Sequence, residues 1–116
     1  MRQARLLKPA EFKRVFAGAS RVSDNHLTLL ARHNDLNYPR LGLAIAKKHV
    51  KTAVGRNRIK RQVRESFRLH QPDIGGLDII VLSRVGCDKA DSRLLRNSLD
   101  KLWRRLVKRC EQSSSS

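Results

Sequence analysis

Acidic residues are scarce in this chain: ten Asp and Glu stand against 26 Lys and Arg among 116 residues, for a net charge of +16. A compact protein this basic repels itself, and an anionic partner relieves the repulsion. Nucleic acid ranks ahead of an anionic membrane surface as that partner. Aromatic residues are few as well, only Phe12, Phe16, Tyr38, Phe67 and Trp103, so an aliphatic core is expected. No apolar run reaches the roughly 18 residues of a membrane-spanning helix. Two cysteines, Cys87 and Cys110, with no C-x-x-C spacing, are too few for a disulfide framework and suit a reducing compartment. Neither they nor His26, His33, His49 and His70 show zinc-ligand spacing, so no metal or cofactor is expected on the protein alone. The segment MRQARLLKPAEF lacks an apolar stretch of signal-peptide type. A cytoplasmic location without membrane attachment is therefore expected, and no obligate protein partner is evident.

What is present reads as one domain over residues 1–110 with a disordered polar tail over 111–116, the EQSSSS segment. Pro9 suits the first position of a helix. Phe12, Val15 and Phe16 then share one stripe, and Gly18 marks a stop. Residues 26–32 read as a strand, with Leu27, Leu29 and Ala31 on one face. A second strand over 41–46 puts Leu41, Leu43 and Ile45 on one side and Gly42, Ala44 and Ala46 on the other. One side can pack a core; the other is almost bare. Thr52 is a fair N-cap for a helix carrying Ile59, Val63 and Phe67, ended by Pro72 and Gly75-Gly76. Residues 77–84 form a third strand, apolar enough for burial on both faces. A turn over 86–91 leads to a last helix over about 92–108, with Leu95, Leu99, Leu102, Trp103 and Leu106 inward. Its other side carries Arg93, Arg96, Lys101, Arg104, Arg105, Lys108 and Arg109. The order is α-β-β-α-β-α, an α+β sandwich with a small mixed sheet.

Half of the net charge lies in residues 47–70, where Lys47, Lys48, Lys51, Arg56, Arg58, Lys60, Arg61, Arg64 and Arg68 meet a single acid, Glu65. On the helix, Asn57, Lys60, Arg61, Arg64 and Arg68 fall on a stripe adjoining the apolar one. One edge is buried while a row of cations stands out to solvent. Arg56 falls over the apolar stripe and is expected to escape past the core's edge. Arginine pairs phosphate through a planar fork, lysine through a point charge, and Asn57 adds a neutral donor and acceptor. A helix that is merely soluble mixes signs; this one does not.

The stretch GLAIAKKHVKTAVGRNRIKRQVRESFR, Gly42 to Arg68, closely resembles the protein subunit of bacterial ribonuclease P, whose signature the Arg-Asn-Arg followed by Ile-Lys-Arg matches. LKPAEFKRVF, the third strand ending on a basic residue, and LDKLWRRLVK fit in the same order, so the likeness covers roughly residues 5–109. The resemblance implies a ribosomal protein S5 domain 2-like fold with a left-handed β-α-β crossover. It implies as partners a catalytic RNA, which with its Mg²⁺ ions carries out the hydrolysis, and precursor tRNA, which loses its 5′ leader. Arg56, Asn57, Arg58, Lys60, Arg61, Arg64 and Arg68 would then face RNA. Phe12, Phe16, Lys47, Lys48, Lys51 and Arg84 would line or border a cleft for the single-stranded leader. The family often places an aromatic residue in the first strand of that cleft; Leu30 stands there in this chain.

The residues themselves favour such a cleft. The bare face of Gly42, Ala44 and Ala46 needs a cover, and a short helix bearing two rings makes a wall, although two such rings serve a core equally well. Other readings fare worse. Catalysis by the protein needs clustered carboxylates or an oriented nucleophile, and the acids are scattered, so no catalytic residue is assigned. A helix-turn-helix fails because residues 75–84 have a strand pattern. A membrane-surface role for the last helix is weaker than core packing with a solvated basic back. A ribosomal or other structural RNA-binding protein without a role in cleavage is the remaining alternative.

Overall fold

The computed structural model describes residues 5–6 and 8–114. Its elements are β1 (Arg5–Leu6), α1 (Pro9–Ala17), β2 (Ser20–Ser23), β3 (Leu27–His33), β4 (Arg40–Ala44), α2 (Ala53–Ile74), β5 (Leu77–Ser83), a 3-10 turn (Cys87–Lys89) and α3 (Ser92–Ser114). They form a mixed α+β fold around one five-stranded sheet of order β1-β4-β5-β3-β2. β4 and β5 are parallel neighbours joined through α2, and β5, β3 and β2 pair antiparallel. The expected order of six elements lacks two of these strands. β1 has only two residues, and β2 reads SRVS with Val22 as its one buried position. Neither is long or apolar enough to create a period of two.

Alternation along the strands divides the sheet into two unlike faces. Leu27, Leu29, Ala31, Leu41, Leu77, Ile79 and Val81 point to one side and pack under Ile59, Val63 and Phe67 of α2 and Leu95, Leu99, Leu102 and Leu106 of α3. Between the helices the Trp103 indole N–H donates to Ser66 Oγ at 2.8 Å, and its ring lies 5.8 Å from that of Phe67. Thr52 caps α2 by accepting from the Gly55 N–H at 3.0 Å. Of the two expected stop signals, Pro72 lies inside the helix and the Gly75-Gly76 pair ends it. The proline sits in the last turn, and the chain leaves the helix only at Gly75, whose φ of 77° is open to glycine at little cost. α3 continues to Ser114, beyond the expected end at Lys108. Of the tail expected over 111–116, residues 111–114 prolong this helix and 115–116 lie outside the described residues. α3 is also tied to the β2–β3 turn. Asp24 accepts from the Ser98 hydroxyl and from the His26 and Leu27 N–H groups. Burial opposes charge on Asp24, yet these donors outweigh it and hold the carboxyl below its usual pKa. Cys87 and Cys110 are buried and unbridged, and burial raises the pKa of both thiols.

The second face carries α1 alone. Val15 and Ile80 are both fully buried there, flanked by Phe12, Ala19, Leu30 and Leu82. Phe12 covers the bare position of β4: a Cβ on Gly42 would stand 2.5 Å from its Cζ. The start of α1 is pinned by charge. The Lys8 N–H donates to Glu11 Oε1 at 2.7 Å, closing the first turn. Glu11 Oε2 pairs with Arg40 at 2.6 Å. Arg40 also grips Asp78 through two bonds, Nε to Oδ1 at 2.8 Å and Nη2 to Oδ2 at 2.7 Å. Asn34 donates to the same carboxylate at 2.9 Å. The Lys8 amide, followed by the Arg40 charge, keeps the Glu11 carboxyl below its usual pKa despite some desolvation, and the Asp78 bond raises that of Arg40. At the other end Arg32 Nη1 donates to the Arg14 carbonyl at 2.9 Å.

Two substitutions test this arrangement. Gly42→Val forces the Phe12 ring aside and is expected to lower unfolding stability by about 1–3 kcal/mol in urea titration, with most of the loss relieved in a Phe12→Ala background. Arg40→Met leaves the Asp78 carboxylate, 3% exposed, without its bidentate partner, and is expected to cost about 3 kcal/mol in the same assay.

Candidate nucleic-acid interface

α1 covers only part of the second face. Beyond it lies a groove of about 810 Å³ lined by Phe16, Ala19, Arg21, Asn25, Thr28, Leu30, His49, Leu82, Ser83, Arg84 and Val85. Its floor is the second face of β3 and β5, which supplies Thr28, Leu30 and Leu82. Phe16 stands on one wall, 52% exposed although aromatic. Val85 is 81% exposed, a second apolar surface open to solvent. Arg21 and Arg84 bring cations from two elements. The architecture is therefore a shallow slot with an apolar floor, an aromatic wall and basic edges, the pattern that takes single-stranded nucleic acid by stacking and charge.

Of the six residues expected at a cleft, Phe16 and Arg84 line this groove. Phe12 instead seals Gly42 beneath α1. Lys47, Lys48 and Lys51 are on the segment between β4 and α2, outside the groove lining. That segment is held by backbone bonds from His49 and Val50 N–H to the Ala46 carbonyl. Ser83 Oγ ties it to the end of β5, accepting from the Ala46 N–H at 2.9 Å. Arg21, Asn25, Thr28, His49 and Ser83 carry no signal of a site in the sequence. Strand register brings Arg21 beside Leu30, Thr28 beside Leu82 and Leu27 beside Ser83, and the β2–β3 turn and the segment after β4 add Asn25 and His49.

The row on α2 is presented much as its periodicity predicts. Asn57, Arg61, Arg64 and Arg68 are exposed and Lys60 is half-buried. Arg56 turns back past the core's edge, donating to the Val50 and Lys51 carbonyls at 3.0 and 3.2 Å. Arg58 reaches the Ala90 carbonyl at 3.1 Å. Each guanidinium thus commits part of its five-donor fork to holding α2 in place. Glu65, the only acid of the segment, lies 3.7 Å from Arg96 of α3, on the edge facing that helix.

Groove and row together define a basic α+β protein built to bind RNA. The Ribonuclease P family model matches residues 1–107. The chain is 53% identical over 112 residues to the ribonuclease P protein component of Pseudoalteromonas atlantica, covering 97% of this chain and 93% of that one. It is 50% identical over 114 residues to that of Methylococcus capsulatus, covering 98% and 89%. Among solved structures, the RNase P protein of Staphylococcus aureus superposes with a TM-score of 0.82 at 30% identity, over 90% of this chain and 95% of that one. That of Thermotoga maritima gives 0.78 at 29% identity, over 89% and 97%. The chain belongs to the ribonuclease P protein family.

If the row grips phosphates, Lys60→Ala combined with Arg64→Ala weakens RNA binding and flattens its salt dependence. The slope of log K against log salt is expected to fall by about 0.7–0.9 for every phosphate that is no longer neutralised, measured by filter binding across a salt series.

Proposed function

We propose that this chain works in the ribonuclease P ribonucleoprotein as an electrostatic adaptor between two RNAs. The α2 row, Arg56 to Arg68, faces the catalytic RNA. The groove beside α1 takes the 5′ leader of precursor tRNA, with Lys47, Lys48 and Lys51 at its approach. Hydrolysis of the leader belongs to the RNA, which holds the Mg²⁺. Among the described residues no three His, Cys, Asp or Glu side chains gather to hold a metal, and the buried carboxylate of Asp78 is already bound by Arg40 and Asn34. The protein's part is to bind, orient and neutralise. Its place of work is the cytoplasm, with precursor tRNA; no helix among the described residues is long and apolar enough to cross a membrane.

The observation that carries this reading is Phe16. A ring left half in water, on a helix whose other large apolar side chains, Phe12 and Val15, pack on the sheet, contributes little to a core and suits a stacking wall. Precursor has a leader and product does not, so energy gained in the groove becomes preference for precursor over product. Phe16→Ala is expected to narrow the affinity gap between precursor and mature tRNA by about tenfold, equivalent to ~1.4 kcal/mol. Fold stability should hardly change, because the ring is largely exposed. An unchanged gap in the reconstituted ribonucleoprotein would refute the groove as the leader site.

A further inference from the structure

His49 stands among the groove's lining residues, on the segment between β4 and α2, and is half-buried. Its Nδ1 lies 2.8 Å from Ser83 Oγ. That hydroxyl belongs to a residue 7% exposed and already accepts from the Ala46 N–H at 2.9 Å. A hydroxyl has one proton to give. Among the described residues the Ser83 hydroxyl meets only two partners, the Ala46 N–H, which can only donate, and His49 Nδ1, so the nitrogen is the one acceptor within reach of the hydroxyl proton. The imidazole nitrogen facing Ser83 is then the acceptor, and the ring carries its own proton on Nε2. Among the described residues Ser83 is the ring's only hydrogen-bond partner, so the Nε2–H is left for whatever enters the groove.

We infer that His49 donates a hydrogen bond from Nε2–H to an acceptor of the RNA strand in the groove, and that Ser83 is a positioning residue that fixes the tautomer. The inference rests on the groove being the leader site. Arg21 and Arg84, the groove's cationic residues, attract any phosphate chain and lose strength in salt. A neutral donor releases no counterion on binding. It rewards a correctly seated strand and adds nothing to the attraction of a distant one. His49 thereby separates seating from steering in a site otherwise dominated by charge.

The side-chain geometry supplies the test. Asparagine places its amide where Nδ1 stands and falls short of the groove; glutamine carries an N–H₂ to the level of Nε2. In the reconstituted ribonucleoprotein, His49→Asn is expected to narrow the affinity gap between precursor and mature tRNA by about three- to tenfold, the range of one hydrogen bond. The salt slope should stay unchanged, and His49→Gln should recover most of the gap. In the full-length free chain, nitrogen-15 NMR of the imidazole should show the Nε2–H tautomer, and Ser83→Ala should release it to exchange between both forms. A ring protonated on Nδ1 overturns the inference, as does an unchanged gap in folded His49→Asn or a loss accompanied by a shallower salt slope. Phe16→Ala, run alongside, separates the levels. A gap narrowed by Phe16→Ala but not by His49→Asn defeats this inference alone, whereas a gap moved by neither defeats the groove reading beneath it.

Discussion

A carboxylate held in the middle of a sheet must be neutralised where it stands, and the second face of this protein is organised around that requirement. Asp78 takes two bonds from Arg40 and a third from Asn34. Arg40 still has a nitrogen to offer, and it takes Glu11 at the first turn of α1. One buried charge therefore fixes where α1 begins. From that anchor Phe12 is set over Gly42 and Val15 over Ile80, and Phe16 is delivered beyond them at the wall of the groove. Well-packed apolar side chains can often replace such a network at little cost in stability, but here they would remove the anchor that sets the start of the helix.

The two faces of the sheet divide the work. The side under α2 and α3 buries nearly all the large aliphatic residues and both larger rings of the core, and it is there that the domain gains its stability. Freed from that task, the other side keeps a short helix and an open slot. Charge is divided similarly. Arg40 and Arg32 serve the fold, Arg56 and Arg58 serve it in part, and Arg61, Arg64 and Arg68 of α2 stand out to solvent. A net charge of +16 strains the free chain and becomes an asset once phosphate surrounds it.

Much of this is legible from residue patterns. The apolar stripes of α2 and α3, the Thr52 cap and the alternation of β3 and β4 each announce themselves locally, and the Arg-Asn-Arg segment points to the family. The bareness of Gly42 predicts a close cover, and Phe12 is that cover, although its place in the sequence suggests the cleft wall instead. What escapes is set by long-range pairing. β1 and β2 exist because neighbouring strands offer them hydrogen bonds, not because their own residues demand it. Arg21, Thr28, His49 and Ser83 meet only through the register of β3 against β2 and β5 and the fold of the segment after β4, and none carries a local signal of a site.

The length of α1 has a consequence for what the protein can accommodate. Nine helical residues extend about 14 Å, which carries Phe12 over Gly42 of β4 and Val15 over Ile80 of β5. Phe16, one residue before the end of that run, is where the cover stops and the slot begins. One more helical turn would add about 5.4 Å of cover, so the point at which the chain leaves α1 for β2 acts as a ruler for the occupant.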